Sequence, residues 1–544
     1  MKKLLLLMVM MLFLVLGACV EVATTTTSEI LSTTEAITTT EQASTQTETT
    51  EITTTIETTT HIETTIPTTD ITTSPTTTED PGIQSCEDKG LTGCEFTLAE
   101  ALPDRTYEDI ATYEFLSEAQ MVLKEESNPN LVVLYQSNKV VAMKYGAVNF
   151  KTKSISETTT LGHTGHHTTT YLNGNYNVDG VFLDAIGVVV YGMIAGVRFE
   201  VVNSEVELIP HAHLNQAYSY YEVINDELVH RIAYNLKTAD FQSIGAIDIA
   251  PEYLEEGIRY YSYDNHYFYT DFITMTDDLR AGTYEHAVNA EQPYYNYYQY
   301  ISFRTKTNYT AEELNTYIQS KTSSSSALYN AGQDFIDAQE AVYINAAMEL
   351  AFAIHESGWG SSAIARDKNN LFGINAYDHD PYNSATAFDS IQDCIEYHVQ
   401  YFLGTRYFNP NFYVAFGTNF GNKYQGMNYK YASDAFWGEK IAKHYYQLDK
   451  ALGFKDRNSY QIALLNPEAI GYYGANPESP VLYDPANYNY RGLWVSFPVM
   501  RERDDFYVLR LPLALNDDLQ MDAYEVMGPT DVFYVYKEDV IIIN

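Results

Sequence analysis

The stretch AIHESGWGSSAIARDKNNLFGINAY, residues 353–377, ends an apolar run with a single carboxylate, Glu356. Residues 337–356, DAQEAVYINAAMELAFAIHE, are good helix formers and are apolar around most of the helical circumference. Such a segment reads as a buried helix. Ser357 and Gly358 follow at once and end it readily. A carboxyl at the end of a buried helix is partly out of water. That penalises the charged form and raises the pKa. An acid still protonated near neutral pH is what glycosidic cleavage needs, because the departing oxygen must receive a proton. Glu356 therefore reads as a general acid, with a capping or pairing role as the equal alternative. Glu349, two turns earlier on the same face, competes with it; inside the helix an ion pair or buried hydrogen bond is expected there instead.

Hydrolysis by two carboxylates needs a partner across the bond. The segment AYDHDPYNSATAFDS offers Asp378, Asp380 and Asp389, although DHDPYN is also turn chemistry.

HESGWGSSAIARDKNNLFGI (355–374) resembles the first signature of the bacterial endo-β-N-acetylglucosaminidases that cut wall peptidoglycan. GMNYKYASDAFWGEKIAKHYY (426–446) is similar to their second signature, about 70 residues on. The resemblance covers roughly residues 327–453. It implies a lysozyme-like, mainly α catalytic domain (α+β), and hydrolysis of the β-1,4 bond between N-acetylglucosamine and N-acetylmuramic acid. Residue by residue, it puts Glu356 in the place of the acid and Tyr431 in that of an active-site tyrosine. It puts Asn370, Phe372 and Gly373 in a groove turn that binds the sugar, with Trp359 and Asn428 as further substrate contacts. Trp437 either lines the groove or is buried, and Ser433 and Asp434 cap the helix that begins near Ala435. The family's second acid lies between the two signatures, which favours Asp378 or Asp380. The alternative is that the substrate's own acetamido oxygen is the nucleophile.

Around this centre the expected order is multidomain. Residues 326–455 form the catalytic domain, and 213–325 are a mixed, Tyr-rich lead-in with Thr310 as a helix N-cap. Small all-β domains occupy 83–212 and 456–544. A weak internal repeat joins them: FEVVNSEVELI from Phe199 and FYVYKEDVIII from Phe533 share the spacing of a strand, a polar turn and a second strand. That pattern resembles the last strands of bacterial SH3-like domains.

Residues 1–18 read as a signal peptide, and LGAC ending at Cys19 resembles a lipobox, implying lipidation of Cys19 and a membrane anchor at the bacterial surface. Residues 19–82 are Thr-rich, without periodicity, and read as a disordered stalk. Roughly 60 such residues reach at most about 200 Å. Cys86 and Cys94 suit a disulfide, and Cys394 a buried thiol.

The net charge of −40 and the lack of a basic stripe argue against nucleic-acid binding. The partners expected are glycan strands and the membrane, for a monomer. HTGHH (from His163) and HAH (from His211) lack a convincing carboxylate or thiolate set, and no phosphate loop, nucleophile elbow or HExxH helix occurs, so no metal or cofactor is expected. Two other readings stay open: cleavage of glycoprotein N-glycans between two N-acetylglucosamines, and a non-catalytic glycan-binding adhesin.

Overall fold

The computed structural model describes residues 96–136, 138–150, 157–173, 179–377 and 379–544. The segments expected to be a signal peptide and a stalk, with Cys19, Cys86, Cys94 and Asp378, lie outside the described residues. Among the described residues no helix is long and apolar enough to cross a membrane.

Residues Phe96–Ala101 open a four-stranded antiparallel sheet, with Tyr107–Tyr113 on one side and Leu131–Tyr135 then Lys139–Met143 on the other. The helix Leu116–Glu125 turns Ala119, Gln120 and Leu123 inward. The expected all-β region of 83–212 thus holds two sheets and a helix. The second sheet has seven strands, in the order Glu207–Pro210, Gly146–Asn149, Asp179–Ile186, Val189–Ile194, Val197–Val202, Thr159–His163, Thr169–Leu172. The C-terminal sheet contains the run Val540–Ile542, Gln461–Leu465, Val495–Arg503, Phe506–Arg510, Val532–Tyr536.

Five neighbouring strands follow one topology in both sheets. The last strand pairs with the first, then come the second, third and fourth. In both, a short 3-10 turn, Asn203–Glu205 or Lys537–Asp539, carries the chain from the fourth strand to the last. The repeat read in the sequence falls on this strand–turn–strand unit in each case. Phe199 and Phe533 both lie fully buried in the fourth strand, so the shared spacing reflects the same packing demand.

Between the sheets, the three antiparallel strands Tyr220–Ile224, Glu227–Asn235 and Asp240–Ile249 share a core with the N-terminal strands, and Ala435 and Phe436 join it. Thr310 caps the helix Ala311–Lys321 in a reciprocal capping box with Glu313.

The apolar run of 337–356 is two helices rather than one, Gly332–Val342 and Ala346–Ser357. Tyr343 turns to φ 52°, and Asn345 restarts the chain by accepting from the N–H groups of Ala347 and Met348, both at 3.0 Å. An Asn at an N-cap satisfies donors that a new helix leaves orphaned, which is why the break falls there. Ten of the twelve residues of Ala346–Ser357 are buried. The helix Trp437–Ala451 packs beside it.

Candidate active site

Glu356 is the penultimate residue of the buried helix and keeps part of its surface open to solvent. The indole N–H of Trp437, at the start of its own helix, donates to Glu356 Oε1 at 3.0 Å. Burial, partly offset by the Trp437 hydrogen bond that favours the charged form, leaves the Glu356 carboxyl raised to about 7. Near neutral pH the group is therefore divided between acid and carboxylate, the balance a general acid needs.

The turn after Glu356 is unusual. Gly358, Trp359 and Gly360 have φ of 58°, 62° and 68° in succession. A Cβ on Gly360 would sit 2.6 Å from Ser326 Oγ and 2.7 Å from the Leu328 nitrogen, so glycine is required there. A bulky residue in this region costs on the order of 1–3 kcal/mol. The Trp359 N–H donates to Ile354 O at 2.9 Å and its carbonyl accepts from Ser326 Oγ at 2.7 Å, which holds the strained turn. Trp359 is half-buried, with its ring 5.8 Å from that of Tyr317.

Tyr431 stacks on Trp437, ring centroids 4.4 Å apart and 23° between planes. Tyr407, from the π-helix His398–Tyr407, meets the Tyr431 ring at 5.1 Å, and Phe352 meets it at 5.4 Å. Tyr431 is 4% exposed. It thus backs the tryptophan that holds the acid.

A second clamp fixes the loop carrying Tyr431. The buried Lys423 ammonium donates to Asn428 O at 2.9 Å and Ala432 O at 2.6 Å, spanning Tyr431. Burial pushes its pKa down to about 7. From the N-terminal seven-stranded sheet, Thr170 Oγ1 donates to Tyr429 O at 2.7 Å and the Tyr171 hydroxyl to Lys430 O at 3.0 Å. The Asn173 N–H donates to Ser433 O at 3.0 Å. The β-hairpin Thr159–His163 to Thr169–Leu172 therefore grips the backbone on both sides of Tyr431.

Three residues expected to touch sugar serve the protein interior instead. Asn370 is 1% exposed; its amide donates to Ile374 O and Thr386 O at 3.0 and 2.9 Å and accepts from the Ile374 N–H at 3.0 Å. Its hydrogen-bonding capacity goes into holding the turn. Phe372 is 2% exposed and lies flat on His398, centroids 3.7 Å apart, so no ring face is left for a glycan. Asn428 is fully buried and donates to Ala435 O at 2.9 Å. Gly373, at φ 65°, stays partly exposed, and a Cβ there would meet nothing nearer than Ala376 at 3.9 Å.

Asp380 is exposed and caps the short turn Pro381–Ser384, with both oxygens on the Asn383 amide at 3.0 and 2.9 Å. Those bonds hold its carboxyl below the usual range. This is a turn role, not the poise of a catalytic base. Asp434 accepts from the Phe436 N–H at 2.9 Å and pairs with Lys440 at 2.5 Å, just ahead of the helix that starts at Trp437 rather than Ala435. Burial works against the Asp434 charge, but Lys440 outweighs it and holds the carboxyl low.

Glu349 is fully buried and meets His398 Nδ1 at 2.6 Å, the pairing expected of it. Cys394 is a free, buried thiol pushed up to about 12 by burial. Among the described residues no group of three or more metal-ligating side chains is gathered. The residues that sequence reasoning missed are those of the clamp, Lys423, Thr170 and Tyr171. Their signal is spatial: Thr170 and Tyr171 lie hundreds of residues from Lys423 in the chain.

Residues 332–450 match the family described as "Glucosaminidase: Mannosyl-glycoprotein endo-beta-N-acetylglucosaminidase". Two Streptococcus pneumoniae proteins, from serotype 4 strain TIGR4 and from strain R6, are 37% identical over 231 residues, and each carries endo-beta-N-acetylglucosaminidase as a provisional name. The match takes in 41% of this chain but only 33% and 31% of theirs, so the chain spans about a third of the length of these curated relatives. Among solved structures, S. aureus autolysin E in complex with the muropeptide NAM-L-Ala-D-iGlu is 26% identical, covering 28% of this chain and 73% of that one at a TM-score of 0.24. The major bifunctional autolysin is 22% identical, covering 29% and 68% at a TM-score of 0.22.

Proposed function

With residues 332–450 a glucosaminidase-family domain, we propose that this protein is a wall hydrolase that cuts peptidoglycan between N-acetylglucosamine and N-acetylmuramic acid. The observation that carries the reading is Glu356: a partly exposed carboxyl raised to about 7, held by Trp437 at 3.0 Å beneath a stacked Tyr431.

In the reaction Glu356 gives its proton to the bridging oxygen as the sugar–oxygen bond breaks. The carboxylate left behind keeps the Trp437 N–H, a charge-assisted bond that strengthens as the charge appears. The substrate's acetamido oxygen attacks the anomeric carbon from the opposite face, and Glu356 then takes a proton from the water that opens the intermediate. The acetamido route is supported over Asp380 as a second carboxylate by the Asn383 amide that occupies both Asp380 oxygens; Asp378 lies outside the described residues. Tyr431 keeps Trp437, and so the acid, in place.

The two five-strand units with their 3-10 turns support an SH3-like reading, as modules that hold wall polymer beside the enzyme. The lipobox-like Cys19 and Thr-rich segment support a tethered lipoprotein at the cell surface; mass spectrometry of the mature N-terminus tests this, and an unmodified Cys19 ends it.

Digestion of purified peptidoglycan followed by mass spectrometry of the products tests the reaction. N-acetylglucosamine at the new reducing ends supports it. Release of high-mannose glycans from glycoprotein with no wall cleavage supports the N-glycan reading instead, and no product from either leaves an adhesin.

A further inference from the structure

The helix that carries the hydrogen-bond partner of Glu356 starts on an aromatic residue. Trp437 is the first residue of Trp437–Ala451, and Phe436 ahead of it makes no side-chain capping bond. A helix start without such a cap leaves backbone donors to be satisfied from elsewhere. Glu439 is the third residue of the helix, the place from which a glutamate can reach back to close a capping box. Here the Phe436 N–H goes to Asp434 at 2.9 Å, and Glu439 turns instead to a histidine from another part of the chain.

His230, in the strand Glu227–Asn235, places its Nδ1 at 2.8 Å from Glu439 Oε2, and both side chains are buried. A buried carboxylate is costly without a partner, so the pair is held together. The imidazole lies flat on Tyr221, centroids 4.0 Å apart and 12° between planes, and meets the Phe436 ring edge-on at 4.8 Å. The Tyr221 hydroxyl reaches the other Glu439 oxygen at 3.4 Å and accepts from the Asn265 amide at 3.0 Å. Phe436 and Glu439, which flank Trp437 in the chain, are therefore both seated on His230. Gly438 backs onto the main chain: a Cβ there would lie 2.1 Å from Gly421 O, which leaves the turn no room on that side. Trp437 sits among these fixed points and reaches Glu356 by one hydrogen bond of 3.0 Å. A shift of about 0.5 Å takes such a bond out of range.

We infer that His230, acting through Glu439, is a positioning residue for the acid: it sets the first turn of the helix so that the Trp437 N–H meets Glu356. Its strand belongs to the sheet of Tyr220–Ile224, Glu227–Asn235 and Asp240–Ile249, wholly outside residues 332–450. The unit that does the chemistry thus extends beyond the family-matching segment. The inference rests on the hydrolase reading for its effect on rate, but not for its effect on the Glu356 carboxyl.

The test uses the full chain and two readouts. One is kcat and KM on soluble glycan fragments. The other is titration of the Glu356 carboxyl, followed by carbon NMR of protein carrying isotope-labelled glutamate, its signal assigned by its loss in Glu356→Gln. His230→Phe keeps a ring on Tyr221 and deletes the bond to Glu439. It is expected to lower kcat about fivefold or more with little change in KM. It is also expected to move the titration to higher pH, because the Trp437 bond that favours the charged form weakens. His230→Asn, whose amide nitrogen falls near the place of Nδ1, is expected to recover most of kcat and the wild-type titration. Beside Trp437→Phe, His230→Phe is expected to add nothing to either readout, since its route runs through the indole. An unmoved titration, an unchanged kcat in an active enzyme, equal losses in the Phe and Asn variants, or additive losses beside Trp437→Phe would each overturn the proposal. Should His230→Phe fail to fold, Glu439→Gln keeps the side chain's length and removes its charge; it is read for the same titration shift, alone and beside Trp437→Phe, and an unmoved titration again overturns the proposal. A shifted titration in a protein whose wild type cuts no glycan counts against the hydrolase reading alone.

Discussion

The indole N–H of Trp437 donates to Glu356 at 3.0 Å, across 81 residues of chain, while the Tyr431 ring lies 4.4 Å behind that indole. Carboxyl, holder and backstop thus form one stack drawn from both signature segments. The proton chemistry of the site rests on how this stack sets the Glu356 carboxyl.

Because only the protonated acid can donate, kcat/KM is expected to fall as pH rises through about 7, the value to which burial lifts Glu356. A pH–rate profile on soluble glycan fragments checks this. An alkaline limb near pH 4 to 5, where an ordinary glutamate titrates, contradicts it.

The same shift makes a stability prediction. The folded carboxyl binds its proton more tightly than the unfolded one, so ionising it costs stability as pH rises from about 4.5 to 7. Glu356→Gln is neutral throughout and can still accept from Trp437. It should stabilise the protein at pH 8 by about 2–3 kcal/mol and change little at pH 4. Denaturant melts at the two pH values measure the difference.

Trp437→Phe keeps the ring stack and removes the donor. Since the donor favours the charged carboxyl, its loss should move the alkaline limb to higher pH and lower kcat by about tenfold to a hundredfold, as for loss of a group that positions a general acid. An unchanged limb with unchanged kcat means that the hydrogen bond does nothing for catalysis.

Tyr171→Phe deletes the hydroxyl that holds Lys430 O, from a sheet well outside the family-matching segment. The prediction is a severalfold fall in kcat with little change in KM, since the hairpin positions the Tyr431 loop. Lys423→Met removes the ammonium from two buried carbonyls and should cost about 2–5 kcal/mol of stability. Equal kcat in Tyr171→Phe and wild type would show the hairpin to be scaffolding only.

Asp380→Asn is expected to retain activity within about threefold, because this aspartate caps a turn and an asparagine can cap it too. A hundredfold loss would restore Asp380 as the second carboxylate.

The sequence made the half-buried, proton-holding carboxyl of Glu356 legible for a physical reason: a carboxylate ending an all-round apolar helix is partly desolvated wherever that helix packs. The N-cap at Thr310, the Glu349 pairing and the strand–turn–strand repeat were legible too, since each depends on local spacing. Asn370, Phe372 and Asn428 were misplaced because side-chain direction is decided by tertiary packing. An asparagine beside a groove and one inside a turn look identical in sequence. The helix break at Asn345 was hidden by the apolar run on either side. The clamp of Lys423, Thr170 and Tyr171 joins segments more than 250 residues apart, and no spacing rule reaches that far.

The most direct measurement is digestion of purified peptidoglycan by wild type and by folded Glu356→Gln, with mass spectrometry of the new reducing ends. Wild type should yield N-acetylglucosamine ends, and the variant should be slower by about a thousandfold or more. Undiminished cleavage by the variant, or N-acetylmuramic acid at the new ends, would contradict the account.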